Sequence, residues 1–199
     1  MKIRTITLAS SALAAALILT GCSTTPANNA TGGSPSSTAP SVVAANFNNA
    51  DETFVMGMIA HHEQAVEMAD MLLEKDGVDE RVIGLALDIK DAQGPEIDTM
   101  NNWLDAWGIM AADSGMEGMD HSGGMMMSDD DMAALDNATG SQASKLFLEQ
   151  MTEHHQGAID MAQQELANGE NTDALSLAQK IIDDQTAEIA TMKSILDTL

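Results

Sequence analysis

Cysteine and tyrosine are the residue types that this chain of 199 residues most clearly lacks. Cys22 is its only cysteine, and tyrosine does not occur. A single cysteine excludes a disulfide bond, a zinc site made of thiolates and an iron–sulfur cluster within one chain. No segment sustains the alternating β-branched pattern of a strand, so we do not expect a β-sheet.

Basic residues are also scarce: the chain has eight lysines and arginines against 31 aspartates and glutamates. Two of the eight precede Cys22, so the rest of the chain has six basic and 31 acidic residues and a net charge of −25. Such a chain repels the phosphates of nucleic acid, which is therefore excluded as a partner. The sequence also lacks a Ser-His-Asp set and a phosphate-binding glycine loop, which argues against a hydrolase or a nucleotide-binding protein.

The first 22 residues have the pattern of an export signal. Two basic residues are followed by an apolar run over 6–20, which is too short to span a membrane. The run ends in Leu-Thr-Gly before Cys22, which resembles a bacterial lipobox and predicts a lipid on Cys22; a plain secretory signal is the alternative. Residues 23–48 are predicted to be a flexible tether. The protein is thus expected outside the cytoplasm as a membrane-anchored bacterial lipoprotein, in the periplasm or at the cell surface.

Four long helical segments are predicted after the tether. Their apolar residues recur with helical spacing, and glycines stand just past three of the predicted ends. The segments run over about 51–75, 79–107, 141–168 and 172–199. Residues 110–132 are rich in methionine, glycine and acids and are predicted to be a loop, with a short helix over about 129–136.

The two halves of this domain repeat one another. Seven residues of the first segment recur 93 positions later, and four of the second recur 92 positions later. The repeated pairs are Phe54 and Phe147, Met58 and Met151, His61 and His154, His62 and His155, Ala65 and Ala158, Met68 and Met161, Ala69 and Ala162, Gln93 and Gln185, Glu96 and Glu188, Ile97 and Ile189, and Met100 and Met192. We therefore predict an all-α fold over 49–199, an antiparallel four-helix bundle built from two repeated helical hairpins.

Two pairs of adjacent histidines occupy matching positions in this repeat. At about 100° per residue, the histidines share the apolar stripe of their helices with nearby methionines, whereas the acids Glu63 and Glu153 point away. Buried imidazoles need partners, and a soft metal ion supplies one that also binds thioether sulfur. The predicted metal ligands are Met58, His61, His62, Met68, Met151, His154, His155 and Met161. A structural polar core is the alternative.

The second and fourth segments place polar residues on their own apolar faces. These residues are Gln93, Glu96, Gln185 and Glu188. A glutamate on a core face needs a partner, and the natural one is an imidazole N–H, whose tautomer it would fix. There are two alternatives for these glutamates. They could bind a metal directly, or they could lie exposed at the edge of the apolar stripe.

The loop over 110–132 is a second methionine-rich region. It contains Met116, Met119, His121, Met125, Met126 and Met127. The loop resembles the methionine-histidine segments of exported copper carriers, so we predict auxiliary metal ligands there. An acidic linker in which methionine is incidental is the alternative.

Three motifs resemble those of the DUF305 family. They are M-I-x-H-H-x-x-A-x-x-M-A at 58–69, M-x-x-H-H-Q-G-A-I-D-M-A at 151–162, and Q-x-x-E-I-x-x-M at both Gln93 and Gln185. The resemblance implies a ferritin-like four-helix fold in an exported bacterial protein, and some family members bind copper in copper tolerance. Ferritin-like carboxylate enzymes have glutamate three residues before histidine, where this chain has methionine. That difference favours Cu(I) or Ag(I) over iron and puts a ferritin-like redox activity in doubt.

These observations predict a copper-binding lipoprotein that sequesters or transfers Cu(I) and is not an enzyme. Its expected partners are metal ions, a membrane reached through the lipid on Cys22, and a copper-delivery protein. One alternative is a ferritin-like oxidoreductase with two irons at Glu96, Glu188 and the histidine pairs, and another is an interaction bundle without metal. Cu(I) binding is expected to weaken as the pH falls through about 6.5, because protons compete for imidazole nitrogens.

Overall fold

The structure, a computed structural model, describes residues 46–109 and 126–199, and this part of the chain is helical. The helices are α1 (Asn49–Leu73), α2 (Glu80–Trp107), α3 (Asp129–Asn137), α4 (Gly140–Asn168) and α5 (Thr172–Leu196). The described ranges contain no strand, which confirms the all-α prediction. None of their helices is long and apolar enough to cross a membrane. The predicted signal peptide with Cys22, the tether up to residue 45, and the loop residues Met116, Met119, His121 and Met125 lie outside the described residues.

Local sequence sets the ends of the helices. The Asn48 side chain accepts hydrogen bonds from the backbone N–H groups of Ala50 and Asp51, and the Asp51 side chain accepts one from the backbone of Asn48. This reciprocal cap begins α1. Gly108, with a φ of 75°, ends α2 in the left-handed conformation that glycine adopts without steric cost.

The four long helices form two antiparallel hairpins, α1–α2 and α4–α5. In each hairpin the residue number rises along one helix as it falls along the other. The contacts that establish this are His62 with Glu96 and Asp70 with Lys90 in the first hairpin, and His155 with Glu188 and Thr152 with Met192 in the second. The predicted pair of repeated hairpins is therefore confirmed.

The short helix α3 lies against α1 and α4. Gln64 on α1 binds both backbone groups of Met127, accepting from its N–H at 2.8 Å and donating to its carbonyl at 2.9 Å. Gln150 on α4 donates to the carbonyl of Asp131 at 2.8 Å. The side chain of Leu135 is fully buried in the core. Two glutamines, one from each hairpin, thus hold α3 in place.

The buried apolar residues form two clusters along the bundle. The Met68 cluster also contains Phe147 and Met151, with residues of α2, α3 and α5. The Met58 cluster also contains Phe54, with residues of α2, α4 and α5. Along α1 the Met58 cluster precedes the histidines and the Met68 cluster follows them, and along α4 the order is reversed. The histidines therefore occupy a layer between the two clusters.

Candidate metal centre

Four histidines, two from each hairpin, form this polar layer. His61 is 1% exposed and the other three are 0% exposed. The neighbouring acids Glu63 and Glu153 are exposed. The prediction that the histidines face the core and the nearby acids face water is confirmed.

His61 and His154 bring the two hairpins together. Their ring centroids lie 3.6 Å apart, and the ring planes are inclined by 38°. Two buried imidazoles this close do not both carry a positive charge, so at least one ring is neutral. Neither nitrogen of His154 has a hydrogen-bond partner among residues 46–109 and 126–199. A neutral His154 therefore has a lone pair that a metal ion can use.

His62 and His155 each bind a glutamate of their own hairpin. Nε2 of His62 lies 2.8 Å from Oε2 of Glu96, and Nε2 of His155 lies 2.6 Å from Oε2 of Glu188. The predicted glutamate–imidazole pairs are thus confirmed. A carboxylate only accepts, so Nε2 of the neutral ring donates the proton and Nδ1 keeps the lone pair. In both rings Nδ1 is buried and has no hydrogen-bond partner within the described ranges.

Glu96 has a second hydrogen-bond partner besides His62. Among the described residues, Glu188 has no such second partner. Lys180 on α5 donates to Oε1 of Glu96 at 2.9 Å. Burial by itself raises the pKa of Glu96, but hydrogen bonds from His62 and Lys180 outweigh this effect and hold the pKa below its ordinary value. Glu96 is therefore an ionised acceptor that fixes the orientation of the His62 ring at neutral pH.

Burial lowers the pKa of His154 well below 6.5, and charge repulsion from His61, His155 and His62 lowers it further. The ring is consequently neutral at physiological pH, which is the form that binds metal. For His154, proton competition with a metal is therefore expected at a lower pH than the value of about 6.5 that applies to an unperturbed imidazole.

The four methionines predicted to bind metal lie on two sides of the histidine layer. Met68 and Met151 are fully buried in one cluster. Met58 is fully buried in the other cluster, and the partly exposed Met161 packs against it. Each side thus has one thioether from each hairpin. The predicted methionines form two equivalent pairs rather than one set around a single point.

Gln93 and Gln185 are buried as predicted, each 3% exposed. Within the described ranges, neither amide atom of Gln93 has a hydrogen-bond partner, nor does the amide oxygen of Gln185. Unpartnered buried amides cost free energy. They lie three residues before Glu96 and Glu188 on the buried faces of α2 and α5, so they add polar groups beside the histidine layer.

The donor groups of this layer suit a soft ion. Among the described residues, no three His, Cys, Asp or Glu side chains are grouped so that they could hold a metal ion. A site at the contact between His61 and His154 therefore needs thioether sulfur as well as imidazole nitrogen, a combination that Cu(I) and Ag(I) accept. Of the predicted loop ligands, Met126 and Met127 are described, and Met127 packs against the Met68 cluster.

A buried pair of acids at one end of the bundle was missed by sequence reasoning. Asp51 is 0% exposed and Glu165 is 1% exposed. Burial would raise the pKa of Asp51, but hydrogen bonds from the backbone of Asn48, Asn171 and Glu170 outweigh it and lower the pKa. Burial and the nearby negative charge of Asp51 raise the pKa of Glu165 to about 8. Helical spacing gave a signal for this pair, because Glu165 lies on the same stripe of α4 as the buried histidines.

Residues 51–196 match the model of the family described as Domain of unknown function (DUF305). A crystal structure of a DUF305 protein from Streptomyces coelicolor is 35% identical, with a TM-score of 0.66 over 75% of this chain and 91% of that one. A DUF305 fragment from Deinococcus radiodurans is 32% identical, with a TM-score of 0.69 over 76% of this chain and 98% of that one.

The protein CopM in its Cu(I)-bound form is 31% identical to this chain, with a TM-score of 0.61 over 74% of this chain and 96% of CopM. CopM has also been solved in Cu(II)-bound and Ag-bound forms. No curated protein matches the chain. The family model spans both hairpins, including the histidine pairs and the glutamates that bind them. This chain belongs to the DUF305 family.

Proposed function

We propose that this protein binds Cu(I), or the chemically similar Ag(I), outside the cytoplasm and either sequesters the ion or passes it on. The observation that carries this proposal is the buried contact between His61 and His154, flanked on both sides by thioether pairs. Neutral nitrogen and sulfur donors bind Cu(I) without a carboxylate. The copper-bound and silver-bound structures of CopM, a 31% identical relative, support the same choice of metal.

A role in binding rather than catalysis is part of the proposal. In the ferritin-like alternative, Glu96 and Glu188 would hold two irons together with the histidines. Each glutamate instead accepts a hydrogen bond from a histidine of its own hairpin. That arrangement favours orientation of the imidazoles over direct ligation of iron by the carboxylates.

The proposed location is the bacterial cell envelope, where a lipid on Cys22 would hold the domain at a membrane. The pattern of the first 22 residues supports this location, and a DUF305 relative described as secreted agrees with export. A copper-delivery protein is the partner that a transfer role would require. Metabolic labelling with a radioactive fatty acid tests the anchor, since Cys22→Ser should abolish incorporation.

The metal is tested by titrating the full chain with Cu(I) in competition with a coloured Cu(I) chelator. We expect the protein to withdraw Cu(I) from the chelator and Ag(I) to displace it, because both ions bind thioether and imidazole. A parallel titration with Fe(II) in air is the comparison. Binding of two irons with a new absorbance band would instead support the oxidoreductase, and failure of every metal to bind would support the interaction bundle.

The pH dependence of Cu(I) binding gives a second prediction. The pKa of His154 lies well below 6.5 in the folded protein, so protons do not compete for this ring near neutrality. Protonation of His154 should therefore contribute little to any change in affinity between about pH 7.5 and about pH 6, and should weaken binding only at lower pH. The chelator titration repeated across this range measures it. A steep loss of affinity centred on about pH 6.5 would show that an ordinary imidazole controls binding.

A further inference from the structure

Met68 and Met161 are equivalent in the repeat but have different surroundings. Met68 is fully buried, and Met127 and Met132 from the α3 region pack against its cluster. Met161 is partly exposed at the edge of the Met58 cluster. One thioether of the pair is therefore covered, and the other is accessible among the described residues.

Met161 lines a groove of about 360 Å³ between α1 and α4, which we call the access groove. Phe54 and Gly57 on α1 and Glu165 on α4 also line it. A Cβ atom at Gly57 would lie 3.7 Å from Sδ of Met161, in ordinary van der Waals contact. Because glycine has no Cβ, this flank of the sulfur remains open to the groove.

Among the described residues, the repeat accounts for the difference between the covered Met68 and the accessible Met161. The residue equivalent to Gly57 is Gln150, 93 positions later, and Gln150 donates to the carbonyl of Asp131 in α3. On the Met68 side, the glutamine thus holds α3 against α1 and α4. On the Met161 side, glycine provides no group that could do the same.

Thioether sulfur atoms lie at the access groove and also close to the histidine layer. Met161 packs against the cluster that contains the fully buried Met58. Met58 precedes His61 by three residues and is therefore its neighbour on the helix surface. Between Met161 and His154 on α4, the same stripe has the small side chain of Ala158, which is fully buried in the Met58 cluster. Sulfur thus lies both at the groove and beside the buried rings.

We infer that the access groove is the route by which a soft monovalent cation reaches the buried histidines, and that Met161 is the first donor it meets. This inference rests on the proposed function. The net charge of −25 after Cys22 attracts cations to the domain without selecting among them. A thioether at the opening adds that selection, because it favours Cu(I) and Ag(I) over hard cations.

The test is the rate at which the full chain withdraws Cu(I) from a coloured chelator in stopped-flow mixing. Met161→Leu keeps the shape but removes the sulfur, and loading should slow at least about tenfold, the effect of about 1.4 kcal/mol on a barrier. Gly57→Ala adds a methyl group against the sulfur and favours the helix, so the protein should fold. Gly57→Ala should slow loading about threefold and leave the equilibrium affinity unchanged.

Matched controls are Met71→Leu, a partly buried methionine at the Met68 cluster, and Gly84→Ala, a helical glycine with no atoms near its missing Cβ. Both should load Cu(I) at the rate of the wild-type protein.

Wild-type rates in Met161→Leu and Gly57→Ala, with Cu(I) still bound, would overturn the route but leave the proposed function intact. Faster release with unchanged loading in Met161→Leu would also overturn it, since Met161 would then act only after the ion has reached the histidines. Failure of the wild-type protein to bind Cu(I) would instead reject the proposed function.

Discussion

Replacing His61 and His154 together by leucine should lower the affinity for Cu(I) by at least about 100-fold. The centroids of the two buried rings lie 3.6 Å apart, and each hairpin contributes one of the rings. Loss of a group that merely orients a ligand costs about 10- to 100-fold in metal affinity, and loss of two donors costs more. Leucine fills a similar volume and needs no hydrogen bond, so the core should remain packed. The measurement is a competition titration with a coloured Cu(I) chelator.

The matched control replaces Glu63 and Glu153 by alanine. Each of these glutamates is adjacent in sequence to one of the histidine pairs, but both are exposed. Their loss should leave the affinity within about twofold of the wild-type value, because weak surface charges contribute little. Circular dichroism and thermal unfolding of both double variants show whether the bundle is intact. If the histidine variant binds Cu(I) as tightly as the wild-type protein, the histidines are structural and the metal site lies elsewhere.

Helical periodicity was sufficient to predict which faces of the helices are buried. The repeat at 92–93 residues predicted two similar hairpins, and the stripe shared by Met58 and the histidines identified the core face of α1. It also predicted that Glu96 and Glu188 would bind imidazoles, because a carboxylate on a core face has few other partners. These conclusions depend on residue spacing along single helices, which the sequence contains in full.

Periodicity does not give the register between α1 and α4, and this register decides the site. It places His61 against His154 and divides the methionines between two clusters. The sequence also gave no indication that Gln64 and Gln150 hold α3, since a glutamine at the edge of a stripe is usually solvated. The low pKa of His154 likewise results from burial among three other imidazoles, which only the assembled bundle reveals.

The acid pair at the end of the bundle makes stability depend on pH in a direction that is unusual for a carboxylic acid. The pKa of Glu165 is raised from 4.5 to about 8, so the folded protein holds a proton that the unfolded chain releases. Between these two values the folded state binds more protons, and stability therefore falls as the pH rises. Below about pH 4.5 both states are protonated at this residue, and above about pH 8 both are ionised, so the dependence ends there.

Glu165→Gln should therefore stabilise the protein at alkaline pH. Glutamine has the same shape and does not ionise, so it mimics the protonated acid at every pH. At about pH 9 the variant should be more stable than the wild-type protein by about 2–4 kcal/mol, given about 1.4 kcal/mol for each pKa unit. At about pH 5 the two proteins should unfold at nearly the same denaturant concentration. Glu170→Gln, at an exposed glutamate in the connection after α4, is the control for the loss of one negative charge. The measurement is urea unfolding of the three proteins at both pH values. If Glu165→Gln raised the free energy of unfolding equally at both, Glu165 would already be ionised in the folded protein at about pH 5. Its pKa would then not be raised, and the prediction would be wrong.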